Sequence, residues 1–261
     1  MQITGTPGEV YEQQMVPAIF SRWAPLVADL AGVKTDERVL DLACGTGALT
    51  RVVAERVGAR GRAVGMDLAA GMLARARGGS SKHIAWLQGD ATALPLADSW
   101  FDAVVCQQGF QFFPDKPAAL REIRRVLVAG GRLTLSVWRG IDHAPGFRVL
   151  QEALARHVSQ QNAALAPFLW GDGAAIRELV VDAGFQDVGV HAEVKLTRFE
   201  SAEHFVRSFV AGSTSRTGAI AELTPAAVEE IVREVTERTR HYTDDEGWAT
   251  PHASNIITGV K

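Results

Sequence analysis

The run VLDLACGTGAL, residues 39–49, ends a stretch of aliphatic residues in an acid, Asp41, and follows it with Gly45 and Gly47. A residue without Cβ admits positive φ and lets a bound molecule approach the backbone, and a helix starting at such a turn offers free N–H groups with partial positive charge. An anionic group suits that place. Asp67 follows about 20 residues beyond the glycines, where a carboxylate can accept both hydroxyls of a ribose. Asp90, in QGDATALPLADSWFD (88–102), is followed by the small Ala91 and suits an adenine edge, the carboxylate accepting from an amino group. The plainer alternatives are a tight turn with no ligand and an Asp67 that only caps a helix. The glycines and Asp67 alone fit a nicotinamide dinucleotide as well as another adenosine ligand.

These acids need strand ends to hold them, and the chain supplies strands and helices in alternation from residue 38. RVLDLA reads as a strand, 48–57 as a helix, RAVGMD as a strand, 69–77 as a helix and HIAWLQ as a strand. FDAVVCQ (101–107), a helix over 116–129 and GRLTLSVW (131–138) continue the pattern. Strands separated by helix-length segments predict a doubly wound, mostly parallel α/β sheet with helices on both faces. Ligands of such sheets bind beyond the carboxyl ends of the strands, and the three acids fall there. After Trp138 the spacing predicts helices near 146–159 and 173–183, a strand near 186–198, helices at 201–211 and 225–241, and a last strand in HASNIITGV. Ahead of the sheet, residues 9–31 carry apolar residues at helical spacing interrupted by Pro17 and Pro25, which predicts short helices.

With 261 residues the chain is long enough for one generous domain, and nothing in its composition marks a firm boundary. The expected division is a helical lid over 1–35, a ligand-binding core over 36–138, the rest of the fold over 139–198 and 248–261, and a helical insertion over 199–247. A hydrophobic fraction of 47% with no apolar run of about 20 residues argues against a bilayer span. No secretion signal is recognisable at the start, so the cytoplasm is the expected compartment. Cys44 and Cys106 are too few for a zinc site, and no metal is expected. A net charge of −3 offers no basic footprint for nucleic acid.

The ordered series VLDLACGTG, GMDLAAGML, GDATALPLADSWFDAVVC and LREIRRVLVAGGRLTLSVW resembles the class I S-adenosylmethionine (SAM)-dependent methyltransferases, especially the subgroup that includes quinone-biosynthesis enzymes. The resemblance is strong over 36–138. It implies a Rossmann-like sheet of seven strands with the last antiparallel, and SAM as cofactor. It further implies that Asp41, Ala43, Gly45, Thr46 and Gly47 wrap the methionine part, that Asp67 holds the ribose with Leu68 and Met72 beside it, and that Asp90 and Ala91 meet the adenine. Gln107, where the fourth strand ends, would face the reactive end. Tyr11 would reach the cofactor's carboxylate from a closing N-terminal segment. Ala43 and Cys44 depart from the family's commonest form, which has a glycine and a small or polar residue there.

The acceptor implied is a small organic molecule, methylated by in-line displacement. Trp23, Phe110, Phe112, Trp138, Phe168 and Phe205 are the candidate acceptor residues, although such rings also serve to fill cores. His143, beyond the fifth strand, is the candidate base. The acceptor is the expected partner, with no nucleic acid and no membrane, and the chain is expected to be a monomer or homodimer. Two readings compete: an NAD(P)-dependent oxidoreductase, which lacks the third glycine of GxGxxG because position 50 is Thr, and a non-catalytic SAM-binding regulatory module. Methylation of protein or nucleic acid is disfavoured, since QQGF after the fourth strand is unlike the Asn-Pro-Pro-aromatic motif of enzymes acting on exocyclic amines.

Overall fold

The computed structural model describes residues 3, 5–78, 83–158, 164–212, 220 and 223–261. The expected 146–159 helix ends at Leu154, with turns over 155–157, while residue 159 and parts of the insertion, at 213–219 and 221–222, lie outside the described residues. In chain order the main elements are α1 (Ala24–Leu30), β1 (Arg38–Leu42), α2 (Ala48–Val57), β2 (Arg62–Asp67), α3 (Ala70–Gly78), β3 (Ile84–Gln88), β4 (Phe101–Gln107), α4 (Lys116–Val126) and β5 (Leu127–Trp138). They continue with α5 (Pro145–Leu154), α6 (Gly173–Asp182), β6 (Gln186–Phe199), α7 (Ala202–Gly212), α8 (Pro225–Arg238), β7 (Thr243–Asp244) and β8 (Gly247–Val260). No helix among the described residues is long and apolar enough to cross a membrane.

The strands form one sheet in the order β3-β2-β1-β4-β5-β8-β6, with β7 pairing β8. The first five strands are parallel, and β8 runs antiparallel to β5 from Arg132↔Val260 to Trp138↔Ser254. The expected seven strands are therefore joined by an eighth of two residues. The chain order reverses between β1 and β4, which makes the carboxyl end of β1 a place for ligands. The chain divides into two compact units: a sheet unit of Ser21–Trp138, Trp170–Glu193 and Ser254–Lys261, and a helical unit of Met1–Phe20, Arg139–Leu169 and Val194–Ala253.

In the sheet unit, β1 is buried along nearly its whole length, which is why RVLDL reads as an unbroken aliphatic run with one acid rather than as an alternation. Leu49, Val53 and Val57 recur at helical spacing on α2 and pack with Val27 and Ala28 of α1 over Val39, Ala63, Ala103 and Val105. On the other face, Leu120, Ile123 and Val126 of α4 and Ile176 and Val180 of α6 cover Leu40, Val104, Leu133 and Ile257. Asp115 caps α4, its carboxylate accepting from Ala118 N–H at 2.8 Å. The helix stops at Val126, three residues short of the expected end. Leu127 is already extended and pairs with Phe101, and the register then shifts so that Ala103 faces Arg132. Gly130, at φ +73°, turns the bulge that absorbs the extra residues.

In the helical unit, residues 7–18 form a helical run whose middle, Tyr11–Met15, is a wider π turn closed by Val16 N–H donating to the Tyr11 carbonyl. Pro17 has no N–H and its ring would press on the carbonyl four residues back, a clash that the wider turn relieves. The unit's core is aromatic. Phe147 of α5 lies 5.0 Å from Phe205 of α7 and 4.8 Å from His252 of β8 (ring centroids), and Phe205 stacks on Trp248 at 4.7 Å. Trp248, Thr250 and His252, alternate residues of β8, present one face to these rings. A Cβ built on Gly146 of α5 would lie 2.7 Å from both the Thr250 hydroxyl and the Trp248 ring, so the helix packs close because that residue is glycine.

Candidate functional site

The three acids singled out from sequence all stand where parallel strands end, and each is held differently. Asp41 is buried, and its Oδ2 accepts from the Thr50 hydroxyl at 2.5 Å. Burial pushes its carboxyl up to about 7, with the nearby Asp67 charge adding to the shift and the Thr50 bond opposing it. Thr50 stands where a dinucleotide fingerprint would place its third glycine. A hydroxyl tethering the strand-end acid is a different solution at that position.

Asp67 reaches back across the turn. Its Oδ2 accepts from Gly45 N–H and its Oδ1 from Ala69 N–H, both at 2.8 Å. The carboxylate thus fixes the glycine turn to the end of β2 and caps the approach to α3 in one gesture, while part of its surface remains accessible. Asp90 is exposed and accepts from both the backbone N–H and the hydroxyl of Thr92 at 2.8 Å, bonds that hold its carboxyl below the usual range. Ala91 beside it is buried in the core. Leu68 is 68% exposed and Met72 is half-buried on α3.

The backbone between β1 and α2 uses left-handed conformations at Ala43 (φ +57°), Gly45 (+56°) and Gly47 (+92°). Ala43 is the family departure noted above, and it carries its Cβ into a region that favours glycine. Opposite it stands Gly109, where a built Cβ would be 2.5 Å from the Ala43 Cβ and 3.0 Å from Cys106 Sγ. Ala43 carries a methyl where its neighbour across the sheet end has none. A Cβ on Gly47 would meet the Trp86 ring at 2.3 Å, and one on Gly65 would meet it at 2.4 Å. The indole on β3 therefore lies over two glycines, a contact that sequence spacing did not reveal.

At this turn two buried polar atoms have no hydrogen-bond partner, Asp41 Oδ1 and Thr46 Oγ1. Gly47 starts α2 with no side-chain cap. A buried carboxylate oxygen beside uncapped helix amides is a charge pattern for a molecule with both an ammonium and a carboxylate. The residues present therefore fit the amino-acid end of SAM. Sulfur chemistry by the chain itself is disfavoured, because burial drives the thiols of Cys44 and Cys106 well above their ordinary range.

Gln107 is half-buried at the end of β4. Its neighbour Gln108, not anticipated from sequence, is at φ +52° and fully enclosed, with Oε1 accepting from the Ser136 hydroxyl at 2.6 Å and Nε2 donating to the Ser254 hydroxyl at 3.1 Å. It pins β4, β5 and β8 together. Phe110 is buried edge-on to Phe113 at 5.6 Å and belongs to the core, whereas Phe112 is 57% exposed. Trp23 and Trp138 are buried against one another at 5.6 Å, each filling space beside the other. The Lys116 ammonium, with burial lowering its pKa, donates to the carbonyls of Gln111 and Phe113 and sits 3.7 Å over the Trp170 ring. It thereby fastens the turn that carries Phe112.

The remaining candidates lie in the helical unit. Tyr11 is half-buried, its ring 5.0 Å from Phe20. Phe168 and Phe205 are buried in the aromatic core described above. His143 is exposed on the short turn Ile141–His143. The sequence singled out no partner for it.

Comparison with known proteins bears on the same segment. The family described as "Methyltransferase domain" matches residues 40–135. A 2-phytyl-1,4-naphtoquinone methyltransferase of Thermosynechococcus vestitus is 45% identical over 115 residues, 43% of this chain and 51% of that protein. The ubiquinone/menaquinone biosynthesis C-methyltransferase UbiE of Pseudomonas syringae pv. tomato is 33% identical over 199 residues, 65% of this chain and 73% of that protein. The chain spans about half the length of several curated relatives that it matches. Among solved structures, YcgJ of Bacillus subtilis covers 92% of this chain and 98% of its own, with a TM-score of 0.63 at 17% identity, a likeness of fold.

Proposed function

The chain belongs to the class I SAM-dependent methyltransferases, and from that membership we propose that it methylates a small apolar ring of the quinone type. The observation that carries the cofactor assignment is the pair of unpartnered buried atoms, Asp41 Oδ1 and Thr46 Oγ1, at an uncapped helix start. SAM, when bound, supplies a methyl group on a cationic sulfur. Asp41 pairs with the ammonium of its amino-acid end, the amides opening α2 receive its carboxylate, Asp67 accepts from the ribose hydroxyls, and Asp90 meets the adenine beside Ala91. Leu68 and Met72 flank the sugar and base. Gln107 faces the reactive end from β4.

Methyl transfer by displacement asks a protein mainly to align its reactants and exclude water. The strand ends and the left-handed turn do the aligning, since Asp67 is held by two backbone amides and Asp41 by the Thr50 hydroxyl before any ligand arrives. The acceptor class is supported by the relatives, one named as a 2-phytyl-1,4-naphtoquinone methyltransferase and another as a C-methyltransferase of ubiquinone/menaquinone biosynthesis. It is supported also by the exposed ring of Phe112 in the sheet unit. A proton leaving the acceptor ring would need a base, and His143 is the residue proposed for that role.

Isothermal calorimetry with SAM and with its demethylated product, followed by transfer of radiolabelled methyl to a panel of reduced naphthoquinones, tests the reading. Binding of both adenosyl compounds together with label in the quinone is expected. Absence of binding rejects the cofactor assignment. Binding without transfer to any ring acceptor rejects the substrate class and favours a regulatory SAM-binding module.

A further inference from the structure

Gln111 stands in the short turn Phe110–Phe112, just beyond the end of β4, and is 4% exposed. Its Oε1 accepts from the backbone N–H of Trp138, the last residue of β5, at 3.1 Å. A backbone N–H can only donate, so the amide oxygen has to face it and the orientation of the side chain is settled. Nε2 then lies on the other side, buried and without a hydrogen-bond partner among the described residues. It carries two N–H donors, and a buried donor left unmet is destabilising until something completes the bond. The turn itself is well held. The Lys116 ammonium donates to the Gln111 and Phe113 carbonyls at 3.3 and 2.9 Å, and Phe112 N–H donates to the Gly109 carbonyl at 3.0 Å. It also packs on the turn after β1, since a Cβ on Gly109 would lie 2.5 Å from the Ala43 Cβ.

We propose that the Gln111 amide is an acceptor-binding group, its Nε2 donating to a ring oxygen of the molecule that receives the methyl. This rests on the methyl-transfer reading and adds to it the feature of the acceptor that the chain recognises. β4 and β5 run parallel to β1 and β2, so Gln111 and Trp138 stand at the same end of the sheet as Asp41 and Asp67. Asp41 and the amides opening α2 account for the cofactor's amino-acid end, which leaves the unmet donors for the second reactant. Beside them Phe112 is 57% exposed, a ring face against which an aromatic acceptor can lie. An amide N–H matches a quinol or quinone oxygen, which accepts, and offers nothing to a bare hydrocarbon or to an ammonium. The bond strengthens when that oxygen is ionised, the form that drives electron density into the ring carbon to be methylated.

Calorimetry on the whole chain saturated with SAM's demethylated product tests the proposal, the probes being 1,4-naphthalenediol kept reduced and naphthalene, which lacks both oxygens. The wild type is expected to bind the diol about tenfold or more tighter than the hydrocarbon. Gln111→Leu should lose most of that preference while leaving naphthalene binding near the wild-type value. Gln111→Glu at pH 8 keeps an oxygen for the Trp138 N–H but, once ionised, has no hydrogen to donate. A purely structural role predicts wild-type behaviour from it, whereas acceptor binding predicts the same loss as with leucine. Thermal melts confirm that each variant is folded, and both should hold the demethylated product as the wild type does. Equal binding of diol and naphthalene by the wild type overturns the proposal without any variant, and so does a preference that Gln111→Glu retains. Loss of the demethylated product by a folded variant overturns it too, since the amide would then serve the cofactor. A wild type that binds no adenosyl compound fails at the earlier step and overturns the cofactor assignment together with this proposal.

Discussion

The turn after β1 and the aromatic stripe on β8 both bury polar groups, and they position them by opposite means. At the turn, Asp67 is bonded to two backbone amides and Asp41 to the Thr50 hydroxyl, while left-handed residues at 43, 45 and 47 set the path of the chain. On β8, Thr250 and His252 are enclosed by rings: Trp248 stacked under Phe205, and Phe147 and Phe168 beside the imidazole. Burial holds His252 down to about 3, so its imidazole is neutral at ordinary pH, with Nδ1 3.1 Å from the Thr197 hydroxyl. Backbone-held groups suit a charged ligand of fixed shape. Ring-held groups suit an apolar molecule or none, because side chains repack where backbone bonds do not.

If the stripe stands on ring packing, deleting its largest ring should produce the greatest loss. Trp248 is fully buried, stacks on Phe205 and donates from Nε1 to the Thr239 hydroxyl at 2.8 Å. Trp248→Ala should cost about 3–5 kcal/mol, from lost burial and the cavity left behind. Denaturant unfolding measures it. A loss under about 1 kcal/mol would mean that the stripe collapses without penalty and that the contrast drawn above is wrong.

The turn should instead fail through the backbone. Gly109→Ala drives a methyl to within 2.5 Å of the Ala43 Cβ, and overpacking of this kind costs about 1–3 kcal/mol. Ala43→Gly removes the opposing methyl and the strain of φ +57° together, so the double variant should recover most of the loss. A double-mutant cycle from thermal melts gives the coupling, expected at about 0.5–3 kcal/mol. Strictly additive costs would show that the two positions are independent.

How far each region was legible in the sequence follows from the range of the interactions that build it. Asp41, the glycines and Asp67 were readable because a strand end, a positive φ and a helix start make local demands on residue type. The Trp86 ring over Gly47 and Gly65 was not, since it needs the β2–β3 register that sets Gly65 beside Trp86. Gln108 was hidden for the same reason, its partners lying on β5 and β8. Helical spacing carried the expected helix at 116–129 past its true end, because Leu127 and Val128 suit a strand as well as a helix and only pairing with Phe101 decides between them. The rings at 23, 110, 138, 168 and 205 were found as aromatic positions, but burial and not spacing tells a core ring from an exposed one such as Phe112.

The finest separation of the two regions is in their response to pH, where they carry opposite signs. Asp41 has an ordinary value of 3.8 and is held at about 7 in the folded chain, so the native state keeps a proton that the unfolded state has given up. Its contribution to stability is present below pH 4 and is lost as pH rises to 7. His252 is displaced from 6.5 down to about 3, so its contribution is present above pH 6.5 and is lost as pH falls toward 3. Between pH 4 and 6.5 the two slopes oppose, and unfolding curves of Asp41→Asn and His252→Gln should each expose the slope of the other. A cationic ammonium at Asp41 Oδ1 favours the ionised carboxylate, so SAM affinity should rise about tenfold from pH 6 to pH 8 as the ionised fraction grows. Asp41→Asn should bind more weakly and with little pH dependence, whereas His252→Gln should leave the wild-type profile in place. Calorimetric titrations at pH 6, 7 and 8 measure both. A wild-type affinity flat over that range would remove Asp41 from the ammonium and return the turn to a purely structural role.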